Sequence, residues 1–146
     1  MHRLLFAAAL FALGISAGAA QNVSVIKDRQ SHFKTMGDAV KPVSAMYKGE
    51  RDFELAPVQE ALRIIAEKAE ILPTLFPDDA QTGGDTEALP VIWQEKADFE
   101  ARFKKLGASV KAAEAVIVDE DTFLDNWRDV VGNCSGCHKK FRKPKS

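Results

Sequence analysis

Near the end of the chain Phe123, Trp127, Val130, Cys134, Cys137 and Phe141 follow one another at spacings of four, three, four, three and four. Side chains at those spacings share one face of an α-helix. A helix carrying this stripe has to bury it, so the fold must bring both thiols to an interior surface. The same segment, Cys134-Ser135-Gly136-Cys137-His138, spells C-x-x-C-H, the spacing by which a c-type haem is covalently attached. On a helix, positions i, i+3 and i+4 can address one edge of a porphyrin together. The thiols would bond its two vinyl groups, and His138 would stand under the iron as the proximal ligand.

A bare C-x-x-C is also a redox dithiol, half of a zinc site or a short disulfide. A thioredoxin-like dithiol sits near a βαβ pattern, and the sequence has none. A structural zinc needs four ligands, whereas Cys134, Cys137 and His138 cluster alone and the only other histidine beyond residue 20 is His32. A disulfide across two intervening residues closes too small a loop to constrain much. Haem attachment gives both thiols and His138 a task without a fourth ligand.

Residues 1–20 read as a secretory leader. His2 and Arg3 make a short basic start, residues 4–15 an apolar run, and Ala17-Gly18-Ala19-Ala20 a small-residue cleavage site. The run is too short to span a bilayer, and nothing later is apolar for long enough. The expected working protein is therefore exported, soluble and composed of residues 21–146, one domain of ordinary size.

Arg3 is the only charged residue of the leader. Removing it takes the 20 basic residues to 19 against 21 acidic ones, a net charge of −2. That balance leaves no nucleic-acid footprint. The tail is different, because Lys139, Lys140, Arg142, Lys143 and Lys145 crowd the last eight residues. It reads as a solvated helix end set favourably against the macrodipole, with a docking patch for an acidic redox partner as the alternative.

Apolar residues recur at threes and fours throughout, and no period-two alternation is sustained. Four helices are predicted. The first runs over 23–46 with Val25, Ile26, Phe33, Met36, Val40 and Val43 on one face and a bend at Pro42. The second starts at Pro57 and stops at Pro73. A connection over 73–89, rich in turn formers and longer than most, is a functional candidate. The third helix opens at Pro90 and fades near Val118, and Asp119 caps the fourth. The fold class is therefore all-α, a four-helix up-down-up-down bundle with its cofactor held between facing helices.

In such a bundle the end of helix four lies beside the start of helix one. The far side of the haem should then come from residues 25–37, which offer His32, Phe33 and Met36. Met46 lies on the order of 15 Å further along than Met36, at about 1.5 Å per residue. His32 neighbours the core face and reads as a rim residue. Phe33 and Met36 would be ordinary core in most bundles.

With these residues in place, the chain resembles the cytochrome c′ family, bacterial four-helix haem proteins with a C-terminal C-x-x-C-H-x-x-F pattern, here residues 134–141. Arg29-Gln30 near the start of helix one, Pro42 near its end and Pro90-Val91-Ile92-Trp93 opening helix three belong to the same match. The resemblance implies one covalently bound haem c per chain, periplasmic localisation and periplasmic redox partners. It places Arg29 and Gln30 at the haem edge or a propionate, where a guanidinium can pair with carboxylate oxygens. Thr86 and Glu87 are weaker candidates for approaching the haem. Relatives are often homodimers.

By the family register the side chain four positions after Arg29, Phe33, faces the open side of the iron. Carbon cannot ligate iron, so Phe33 implies a five-coordinate, high-spin haem. Met36 is the alternative, one turn further on and able to supply the sulfur of a low-spin His/Met electron carrier. Two functions follow: electron transfer, and binding of nitric oxide or carbon monoxide at an apolar distal site, as a scavenger or sensor. A peroxidase would want polar distal groups, which Phe33 does not supply, so no enzyme is expected.

Overall fold

The computed structural model describes residues 14–144, with side chains from Asn22 onward. Residues 1–13, which fall within the expected leader, and Lys145 of the basic tail lie outside the described residues. The chain forms α1 (Gly14–Tyr47), α2 (Leu55–Ile71), a short α3 (Val91–Gln94), α4 (Lys96–Val116) and α5 (Glu120–Phe141), with a 3₁₀ turn at Leu72–Leu75. No strand occurs among the described residues; an isolated antiparallel bridge joins Ala88 to Arg142. The four long helices pack in chain order, α1 on α2, α2 on α4 and α4 on α5, whereas α1 and α5 barely touch. The bundle is closed on three sides and parted on the fourth.

Local chemistry sets the ends. Gly49 adopts φ +71 just after α1 and donates its N–H to the Met46 carbonyl at 2.9 Å, a left-handed stop that glycine adopts without strain. Pro73 has no N–H to continue α2, and the chain tightens into the 3₁₀ turn. Asp119 caps α5 as expected: its carboxylate accepts from Thr122 N at 2.9 Å while Thr122 Oγ1 accepts from Asp119 N at 3.1 Å. α1 runs on through Pro42 to Tyr47.

Two expectations need correction. The predicted third helix is two pieces, because Glu95 leaves helical geometry at φ −123, ψ 45 and separates α3 from α4. α2 begins at Leu55, two residues before Pro57. Between the helices Val43, Val58, Leu62, Ile65, Val110, Phe123, Trp127 and Val130 are almost fully buried and make the core of the closed half. Each such side chain contributes roughly 1.5–3 kcal/mol.

Candidate haem-binding site

Where α1 and α5 part, the bundle holds a cavity of about 600 Å³, within the range of small-molecule and cofactor pockets. On α1 the inner wall is Arg29, Phe33, Met36 and Val40, a stripe at helical spacing. α5 supplies Cys134, Cys137, His138 and Phe141. α4 closes the back with Phe99, Phe103 and Leu106, and residues 85–88 of the long connection close one end. Of the residues singled out in the sequence, Arg29, Gln30, Phe33 and Met36 on α1, Cys134, Cys137 and His138 on α5, and Glu87 on the connection all line this one cavity.

Both thiols are half-buried, and no disulfide joins them. Burial pushes the Cys134 and Cys137 thiols up from their ordinary values, and the nearby Arg102 charge draws Cys137 part of the way back. His138 is half-buried and lines the same cavity. Two thiols and an imidazole on one helix face, opposite a wall of phenylalanine, leucine and methionine, fit a flat apolar macrocycle fixed by two thioethers and one axial nitrogen.

Opposite them, the Phe33 ring is held by Phe76 and Phe103, with centroids 6.5 and 6.4 Å away. Met36, 7% exposed, lines the cavity too. Met46 is core and does not line it. His32 also stays out of the cavity and sits 3.6 Å from Asp28 on the same helix.

Arg29 lines the cavity but is spent largely elsewhere. Its side chain is buried, 2% exposed, and stacks over Phe76 at 4.6 Å. Its Nη1 donates to the Ala80 carbonyl at 2.9 Å and its Nη2 to Thr86 Oγ1 at 2.8 Å. Gln30 Nε2 donates to the Gly84 and Asp85 carbonyls at 3.3 Å. Gly84, at φ +55, lets the connection approach closely, since a Cβ there would stand 3.3 Å from Ile26. Glu87 lines the cavity, and its backbone carbonyl accepts from Lys143 N at 2.8 Å.

The basic tail stays at the surface, with Lys139 and Lys140 in the last turn of α5 as a helix end favours, but two of its lysines are engaged. Lys140 pairs with Glu95 and, at 2.9 Å, with Asp98; Lys143 Nζ donates to the Thr86 carbonyl at 2.8 Å. The segment after the haem motif is thus fastened to the connection and to α4. Sequence reasoning missed Arg102 and Phe76, both of which line the cavity. Phe76 stands as a lone aromatic amid turn formers, a signal for a buried anchor within a loop.

Residues 24–142 match the family described as Cytochrome C'. The chain belongs to the cytochrome c′ family. It is 46% identical over 144 residues to a cytochrome c′ of Rhodopseudomonas palustris, covering 99% of this chain and 98% of that protein. A solved structure of cytochrome c′ from Rhodopseudomonas palustris superposes with a TM-score of 0.81 at 49% identity, covering 84% of this chain and 98% of that one. A cytochrome c-556 of Agrobacterium fabrum is 30% identical over 132 residues, 90% of this chain and 89% of its own. The fold is the helical bundle of that family, and the cofactor is haem c. Among the described residues no helix is long and apolar enough to cross a membrane.

Proposed function

We propose that this chain is a periplasmic electron carrier whose haem is five-coordinate and high-spin, with a sixth position open to nitric oxide or carbon monoxide. When bound, the haem supplies one-electron exchange between ferric and ferrous iron and, at an open axial position, a place for a diatomic gas. The observation that carries this reading is the position of Phe33, whose ring stands in the cavity wall facing the helix of Cys134, Cys137 and His138.

In this reading Cys134 and Cys137 hold the macrocycle covalently and His138 supplies the proximal nitrogen. Phe33 offers no donor atom. Braced by Phe76 and Phe103, it restricts the distal space to small ligands and gives no polar group that would assist peroxide cleavage, which argues against an enzyme. Arg29 holds the connection at the cavity's end, where its remaining N–H groups and Gln30 stand at the haem edge. Glu87, on the same connection, borders that edge.

Residues 1–20 are read as a secretory leader, on their short basic start, apolar run and small-residue site. Export is also what covalent haem attachment requires in the family.

One observation favours a second reading. Met36 is buried and lines the same cavity one turn from Phe33, so its sulfur is the donor within reach of a low-spin His/Met carrier. The optical spectrum of the ferrous protein before and after carbon monoxide decides between them. A large Soret shift at low gas concentration supports the open site; a spectrum indifferent to gas supports Met36.

A further inference from the structure

The C-x-x-C turn has a cationic neighbour on another helix. Arg102, on α4, lines the cavity, and its Nη1 lies 3.8 Å from where a Cβ on Gly136 would stand. Its guanidinium also sits 5.3 Å from the centroid of the Phe141 ring, three residues beyond His138. The charge is thus held against the helix that carries the haem attachment residues.

What holds it there is a chain of alternating charges. Asp98 Oδ2 accepts from Arg102 Nε at 3.4 Å and Nη2 at 3.3 Å, and from Lys140 Nζ at 2.9 Å. Lys140 pairs in turn with Glu95. Asp98 is shared and stands closer to Lys140, so Arg102 is the end of the chain with the least complete compensation. It is also the member of the chain that lines the cavity. Its side chain is 33% exposed, so solvent screens it only in part.

We infer that Arg102, with Asp98 as its counter-ion, sets the reduction potential of the haem held by Cys134, Cys137 and His138. Ferric iron takes one electron from a one-electron donor and becomes ferrous, which removes one positive charge from the site. A fixed cation beside the site favours that loss of charge and raises the potential, and an anion beside the cation lowers it. The effect does not depend on the sixth ligand, so it goes beyond the coordination proposed above.

Spectroelectrochemical titration of the holo-protein tests it with Arg102→Gln, Arg102→Lys and Asp98→Asn. The potential should fall in Arg102→Gln, stay near the wild-type value in Arg102→Lys and rise in Asp98→Asn. Opposite signs in the two neutralising variants are the signature, since a merely structural role would move both alike. Shifts of the same sign, or no fall in Arg102→Gln, overturn the inference. Should Arg102→Gln fail to retain haem, Asp98→Asn decides alone: a rise supports the inference and a fall or no change overturns it. The ferric spectrum of each sample reports coordination separately, so a change there is not mistaken for a charge effect.

Discussion

Arg29 Nη2 donates to Thr86 Oγ1 at 2.8 Å, and the Thr86 carbonyl accepts from Lys143 Nζ at 2.8 Å. One threonine thereby ties the helix of Phe33 to the segment that follows His138, at one end of the cavity between them. The two walls of the site are held at a fixed separation by the connection.

Thr86→Val removes a hydrogen bond to a charged group while keeping the side chain's shape. It should lower stability by about 1.5–3 kcal/mol and expose the connection over 73–89 to limited proteolysis. Denaturant unfolding with a timed protease digest measures both. Unchanged stability and digestion would show that Arg29 does not depend on Thr86.

Phe33→Ala should speed carbon monoxide association with the ferrous protein, because it deletes the ring packed on Phe76 and Phe103. The stability cost should stay below the roughly 3–5 kcal/mol of a fully buried phenylalanine, since Phe33 is only half-buried. Stopped-flow mixing reads the rate, and a rate equal to wild type would remove Phe33 from the access path.

Met36→Ala should leave the ferric spectrum as it is while costing about 2–5 kcal/mol, because the side chain is core. If a low-spin spectrum became high-spin on this change, Met36 would be the iron ligand.

The bundle was legible because its signals are local. The α5 stripe, the Asp119 cap and Pro73 each act within a turn of helix, and the C-x-x-C-H spacing names its own chemistry. Helix order then brought Phe33 and Met36 to the cavity by geometry alone. What escaped was long-range. The break at Glu95 carries no proline or glycine to announce it. The resemblance puts Arg29 at the haem edge, and nothing near it in sequence announces the carbonyl of Ala80, 51 residues away, that accepts from it. The partners of Lys140 and Lys143, namely Glu95, Asp98 and the Thr86 carbonyl, are likewise far away in sequence.

The charges around Asp98 predict a pH response. Lys140, then Arg102, holds the Asp98 carboxyl below its ordinary value, so its contribution is complete above the unfolded carboxylate pKa of about 3.9 and is lost as pH falls through the lower folded value. Glu95, then Asp98, raises Lys140, so that contribution is complete below the unfolded lysine pKa of about 10.4 and is lost as pH rises through the higher folded value. Unfolding midpoints should therefore show no pH dependence from this network across neutral pH, and Asp98→Asn should weaken the acid decline. An acid limb identical in Asp98→Asn would show that the decline belongs to other carboxylates.

Electron paramagnetic resonance of the ferric holo-protein at neutral pH reads the coordination that Phe33 implies more directly than any variant. An axial high-spin signal is the expected result, with Phe33 over an open iron. A low-spin signal would contradict it and put the Met36 sulfur on the metal.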